Sequence, residues 1–107
     1  MAIEQEKFDH THTQSKALFE RARLSLLGGV PMNWMAKWAG GFPPFVREAH
    51  GSHFTDIDGN DYVDLCLGDT GAMTGHAIEE VTKAVSEQAA RGITFMLPTE
   101  DAVIVRK

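Results

Sequence analysis

The period of hydrophobic positions changes several times along the 107-residue chain, and each change marks an element. In "TQSKALFERARLSLLGG", Leu18, Ala22 and Leu26 recur four residues apart with Phe19 beside them, the spacing of one helix face. Thr13 is placed to cap this helix, and Gly28–Gly29 to stop it in the left-handed region. Lys16 with Glu20, and Glu20 with Arg23, are spaced to pair on its wet face. Residues 1–12 are polar and read as a flexible N-terminus.

In "VPMNWMAKWAGGFPPF" the period is lost. Met32, Trp34, Met35, Trp38, Phe42 and Phe45 are large, while Pro31, Pro43 and Pro44 break any long helix. A short loop cannot bury that much aromatic surface alone. The segment predicts cover from more protein, a second subunit or a ligand.

Alternation takes over next. Phe45, Arg47 and Ala49 alternate with Val46 and Glu48, His50–Ser52 turn, and Phe54, Thr55 and Ile57 form a second strand. Asp58-Gly59-Asn60 is a hairpin signal, since Gly and Asn accept positive φ. "YVDLCL" is apolar almost throughout and is expected to be the most deeply buried strand. The helical period returns in "AIEEVTKAVSEQAARG", where Ile78, Val81, Val85 and Gln88/Ala89 form a stripe with Ala84. Glu79 and Glu80 suit its N-terminal end and Arg91 its C-terminal end, and Gly92 closes it. After the apolar link "ITFML", Thr99 as N-cap with Glu100 and Asp101 opens a further helix. That helix has no stop signal and would be marginal alone.

Composition narrows the class. Hydrophobic residues at 43% and charged residues at 23% are those of a folded domain. Ten Lys and Arg against fifteen Asp and Glu leave a net charge of -5, which argues against nucleic acid or an anionic membrane as partner. No apolar stretch approaches the roughly 18 residues that a membrane span needs. The start "MAIEQEKFDHTHTQ" lacks the pattern of a signal peptide. Cys66 is the single cysteine, so no internal disulfide is possible. It is expected as a small core residue, and the protein as cytoplasmic.

Candidate chemistry gathers around residues 56–76. "DIDGNDYVD" alternates oxygen side chains like the start of a calcium loop, but the sixth position from Asp56 is Asp61, where an EF-hand needs Gly. The twelfth is Leu67, where it needs Glu. A polar hairpin turn is the better reading. His10 and His12, and His50 and His53, lack a ligand partner at convincing spacing and read as surface histidines. "GDTGAMTG", with glycines at 68, 71 and 75, fits no nucleotide fingerprint. It does require a sharp turn, or close backbone approach, after a strand. Asp69 is either a turn former or a cation partner for a ligand. His76 can cap the following helix or hold the loop through a ring hydrogen bond.

The order "LLGGV", then "DIDGNDYVD", then "GH" about a dozen residues later, then "PTE", resembles the N-terminal part of class III aminotransferases. These are pyridoxal-phosphate enzymes of fold type I, and the nearest resemblance is to their glutamate-1-semialdehyde aminomutase-like branch. It covers most of residues 15–107. After the flexible N-terminus over 1–12, it implies an α/β fold whose N-terminal part is a helix, apolar loop and small three-stranded antiparallel sheet over 13–66, then an active-site loop with the first helices of the large domain over 67–107. It implies a polypeptide about four times this length. The cofactor, pyridoxal 5'-phosphate, would be held by the remainder, which would carry its lysine and the Asp facing its pyridine nitrogen. Neither Lys83 nor Lys107 matches that lysine's motif, so no catalytic residue is assigned to this chain, and alone it is expected to be inactive.

By the same resemblance, Trp34, Met35, Asp69, Thr70 and Gly71 are substrate-pocket candidates. Met96, Thr99 and Glu100 are candidates for a homodimer interface. Aminomutase-like members read "GGVNSPVR", whose final Arg reaches a substrate carboxylate; here "GGVPMNWM" puts Met35 there. A thioether cannot bind a carboxylate as a guanidinium does. Trp often stands where this chain has Asp69. The departures favour a transaminase acting on an amine or amino acid, apolar or cationic in its side chain, over an aminomutase. The rival outside this class is a non-catalytic acidic interaction or calcium-binding module.

Overall fold

A computed structural model describes residues 2–37 and 39–104; Trp38 and Lys107, both discussed above, lie outside them. The chain divides into two compact units, one ending at His76 and the other beginning at Ala77.

The first unit opens with two helices, α1 (Ala2–Thr11) and α2 (Thr13–Ala22). The stretch expected to be a flexible N-terminus is therefore largely helical. Phe8 anchors it, stacking on His12 at 4.0 Å and meeting Phe42 at 5.0 Å between ring centroids. Gln5 Nε2 also donates to the carbonyl of Gly40 at 2.8 Å. Helix α2 ends sooner than its periodicity suggests, and the chain reaches Gly28 and Gly29 through turns and a short 3-10 segment, Leu27–Gly29. Both glycines have positive φ, as expected of a left-handed stop. At Gly29 a Cβ would fall 2.8 Å from both the Phe19 ring and the Arg23 stem, so only glycine lets the chain pass there. Glu20 pairs with Arg23 at 3.5 Å as expected, but Lys16 pairs with Asp9 on α1 instead of with Glu20.

The apolar loop is covered in part. Val30 and Phe42 are buried, whereas Met32 and Trp34 stay more than half exposed. A second 3-10 segment spans Asn33–Lys37.

Three strands follow, β1 (Val46–His50), β2 (His53–Asp56) and β3 (Asp61–Val63), in an antiparallel sheet ordered β1-β2-β3. A bulge lies between Val46 and Glu48. Cross-strand Phe54 and Tyr62 stack at 4.8 Å and give the second pair an aromatic face. The third strand is shorter than predicted. It ends at Val63, and Leu65 is 92% exposed with Cys66 also exposed. The expectation that "YVDLCL" is a buried strand and Cys66 a core residue is thus not met. The cause is local: Asp64 Oδ1 accepts the N–H groups of Cys66 and Leu67, both at 2.9 Å, and bends the chain out of the ladder.

The second unit holds α3 (Glu79–Arg91) and α4 (Asp101–Ile104). Helix α3 falls within the predicted span, with Glu79 and Glu80 in its first turn and Arg91 in its last. Gly92 ends it at φ 104°. No side chain on α3 is buried, and its Val81 and Val85 are more than half exposed.

Candidate functional site

Two polar constructions organise the first unit. One is the hairpin turn that resembled a calcium loop. Asp56 is fully buried. Its Oδ1 accepts the N–H groups of Asp58 and Asn60 at 2.9 and 2.8 Å. Its Oδ2 accepts from the Asn60 side-chain amide at 3.0 Å and the Tyr62 hydroxyl at 3.1 Å. Burial alone would raise the Asp56 carboxyl's pKa, but the Asn60 and Tyr62 hydrogen bonds outweigh it and hold it below the usual range. Against the same carboxylate burial pushes Tyr62 up to about 12, helped by the hydrogen bond to Asp56. Tyr62 also bonds His12 Nε2, and the other ring nitrogen of His12 lies 2.8 Å from the carbonyl of Phe8. His12, read from sequence as a surface histidine, is therefore buried at the junction of α1 and α2.

Asp58 reaches the start of α2. It accepts the N–H of Gln14 at 2.7 Å, the N–H of Ser15 at 2.9 Å and the Ser15 hydroxyl at 2.7 Å. These are the free donors of the helix N-terminus, satisfied from 43–44 residues away in sequence. The expected cap, Thr13, is the first helical residue and makes no capping bond; His12 is in the cap position without a side-chain bond to the helix. Ser15, fully buried, accepts the N–H of Phe45 in turn. With their oxygens bound to protein donors, these carboxylates form a cap and a turn. No cluster of three metal-ligating side chains occurs among the described residues.

The other construction is the loop from Asp64 to His76. Leu67, Gly68, Asp69 and Thr70 all have positive φ, at 50, 63, 52 and 78°. For Leu and the β-branched Thr this conformation is strained. Internal bonds hold it: the N–H groups of Asp69, Gly71, Ala72 and Gly75 donate to the carbonyls of Cys66, Gly68, Leu67 and Ala72. The loop's far end is tied to the sheet, where Gly51 and His76 exchange both backbone hydrogen bonds at 2.8 Å. Gly75 is pressed to the Gly51 backbone, where a Cβ would sit at 3.3 Å. His76 Nε2 lies 2.7 Å from Asp64 Oδ2. That contact first, and the Leu67 N–H next, hold the Asp64 carboxyl below the ordinary range.

Asp69, Thr70 and Gly71 are exposed at the crown of this loop, and Trp34 and Met35 lie on the 3-10 segment Asn33–Lys37. No side-chain hydrogen bond joins the two sets among the described residues. Met96, Thr99 and Glu100 are exposed in the second unit, where Thr99 offers its carbonyl to the N–H of Ala102 at 3.1 Å. The crown is a poor cradle for a cofactor phosphate. Its amides at 69, 71, 72 and 75 already serve internal carbonyls, and it carries a carboxylate and no cation. The crown does not supply the grip that pyridoxal phosphate needs.

Comparison with known proteins gives these features a setting. No protein-family model matches the chain. It is 40% identical over 94 residues to glutamate-1-semialdehyde 2,1-aminomutase of Methanocaldococcus jannaschii, which covers 88% of this chain and 22% of that protein. A glutamate-1-semialdehyde aminomutase structure from Pseudomonas aeruginosa superposes with a TM-score of 0.91 at 47% identity, over 97% of this chain and 23% of that one. A variant of that enzyme is known in complex with PMP. An omega-transaminase from Sphaerobacter thermophilus superposes with a TM-score of 0.73 at 34% identity, over 80% of this chain and 19% of that one. The chain's homologues are therefore glutamate-1-semialdehyde aminomutases and class III transaminases, pyridoxal-phosphate enzymes of fold type I. The chain spans 19–23% of their length. The resemblance carried by "GGV", "DIDGNDYVD" and "GH" is borne out, as is the fold class. The reading as a non-catalytic acidic or calcium-binding module finds no support.

Proposed function

We propose that this chain is the N-terminal portion of a pyridoxal-phosphate-dependent class III aminotransferase, moving an amino group between an amine or amino acid and a keto acid or aldehyde. The observation that carries the reading is the superposition at TM-score 0.91 and 47% identity over nearly the whole chain. The cofactor is held by the remainder of the enzyme and supplies the electron sink for amino transfer. The chain's own part is to shape the substrate side. Trp34 and Met35 give an apolar wall, and Asp69 with Thr70 and Gly71 a polar crown that favours an amine whose side chain is apolar or cationic. Met96, Thr99 and Glu100 face a second subunit in a homodimer. The single unpaired cysteine fits a cytoplasmic enzyme.

An aminomutase of the glutamate-1-semialdehyde type is the second reading, favoured by the names of two of the relatives above. Met35 favours the first reading, since by the resemblance it stands where the aminomutase branch carries an Arg for a substrate carboxylate. The test is made in the complete polypeptide carrying this segment. Amino transfer from neutral and cationic amines is expected, with Asp69→Asn lowering the preference for cationic donors. Turnover of glutamate 1-semialdehyde at least equal to that of every amine would establish the second reading. The 107 residues alone, mixed with pyridoxal phosphate, should develop no lysine-dependent absorption band near the visible edge.

A further inference from the structure

We propose that His76 and Asp64 are positioning residues: together they form a clasp that sets the conformation of the loop Leu67–Gly75 and, through it, the placement of Asp69 and Thr70. The inference rests on the reading of that loop as substrate-facing.

Three observations converge. First, the loop is strained where it matters. Leu67, Asp69 and Thr70 hold positive φ, a conformation that persists only when surrounding contacts impose it. Second, beside the loop's internal backbone bonds, one carboxylate holds both of its ends. Asp64 Oδ1 gathers the N–H groups of Cys66 and Leu67 at the loop entry, and Asp64 Oδ2 meets His76 Nε2 at the loop exit. A single side chain thus joins the two ends, which are twelve residues apart. Third, the exit end has nowhere to drift. His76 exchanges both backbone hydrogen bonds with Gly51 and follows Gly75, which abuts the Gly51 backbone. The sheet edge fixes His76, His76 fixes Asp64, and Asp64 fixes the turn that leads into the strained crown. Both side chains are mostly buried, at 22% and 14% exposure, so water competes weakly for their bond. Among the described residues neither side chain hydrogen-bonds Asp69, Thr70 or Gly71, so the role assigned to them is positioning.

The experiment uses the complete enzyme with His76→Ala, His76→Gln, Asp64→Asn and Asp69→Asn, and the double variant His76→Ala/Asp64→Asn. Amide hydrogen exchange and steady-state kinetics with an amine donor are read in parallel. In His76→Ala the amides of Asp69, Gly71 and Ala72 should exchange about tenfold faster, with those of Asp56 and Gly59 in the hairpin unchanged. KM for the amine should rise about fivefold with kcat within about twofold. His76→Gln, which can still donate to Asp64, should recover most of both, and the double variant should be no worse than its worse single parent. Unaltered exchange in the crown overturns the clasp. Faster exchange with KM unmoved in His76→Ala but raised in Asp69→Asn overturns the positioning role. Faster exchange with KM unmoved in both leaves the clasp standing and overturns the substrate-facing reading beneath it.

Discussion

The hairpin turn at Asp56–Asn60 and helix α3 are the two clearest signals in the chain, yet they are completed in opposite ways. Every oxygen of the Asp56 and Asp58 carboxylates meets a donor from within the first unit. Helix α3 is equally regular, but its apolar stripe meets nothing that buries it among the described residues. Local pattern establishes that an element forms; it does not establish that the element is covered. The hairpin is closed by short polar side chains whose partners lie within the chain. The helix presents apolar area whose cover, on the proposed reading, belongs to the rest of the enzyme.

The largest expected loss comes from opening the closed region at its centre. Asp56→Ala would leave two backbone N–H groups, the Asn60 amide and the Tyr62 hydroxyl without their acceptor in a buried site. Destabilisation of about 3 kcal/mol or more is expected from the shift of the denaturation midpoint. A cost under about 1 kcal/mol would mean that water replaces the carboxylate and that the site is not closed. Next comes Asp58→Ala, which uncaps α2 and should cost about 1–2 kcal/mol. Its control is Thr13→Ala, the cap that sequence alone proposes, expected within about 0.5 kcal/mol of wild type. Equal losses from the two would return the cap to Thr13.

The same network sets a smaller, pH-dependent term at both ends of the scale. Asp56 and Asp58 have folded-state pKa values below the ordinary one, so their contribution is complete above about pH 4 and fades as pH falls through the folded values. Tyr62 is displaced the other way. Its contribution is complete below its ordinary value of 10.0 and is lost as pH rises from there toward about 12. Stability followed against pH should therefore show an alkaline decline in that window that Tyr62→Phe lacks. An identical decline in the variant would assign it to other groups.

How legible the chain was follows the same division. The periodicity at Val81 and Val85 located α3, and Asp58-Gly59-Asn60 located the hairpin, because both are set by neighbours in sequence. The cap at Asp58, the burial of His12 and the short β3 depend on partners far along the chain or on one carboxylate's choice of donors. No spacing rule encodes those contacts. Asp64 and His76 fall between the cases. Both belong to the motifs "DIDGNDYVD" and "GH", and a ring hydrogen bond is one of the two roles that the position of His76 allows, but nothing in the spacing names Asp64 as its partner. The pocket candidates Trp34, Met35, Asp69, Thr70 and Gly71 rest on the family resemblance alone, since the groups they would face lie outside these residues.

The smallest effect on the chain itself is the most informative about the open region. Val85→Glu places a charge in the middle of the α3 stripe, at a residue 57% exposed. In the 107-residue chain it should change stability by no more than about 0.5 kcal/mol, because the residue is more than half exposed and Glu suits a helix. In the complete polypeptide the same charge would be forced against whatever covers the stripe, where an unpaired buried carboxylate is costly. Soluble yield and cofactor-bound fraction should then fall sharply, with Val81→Glu behaving alike and the exposed Glu87→Gln serving as the neutral control. The contrast between the two contexts is the measurement. A variant that is silent in both would show the stripe to be ordinary surface, and α3 to be as complete in these 107 residues as the hairpin is.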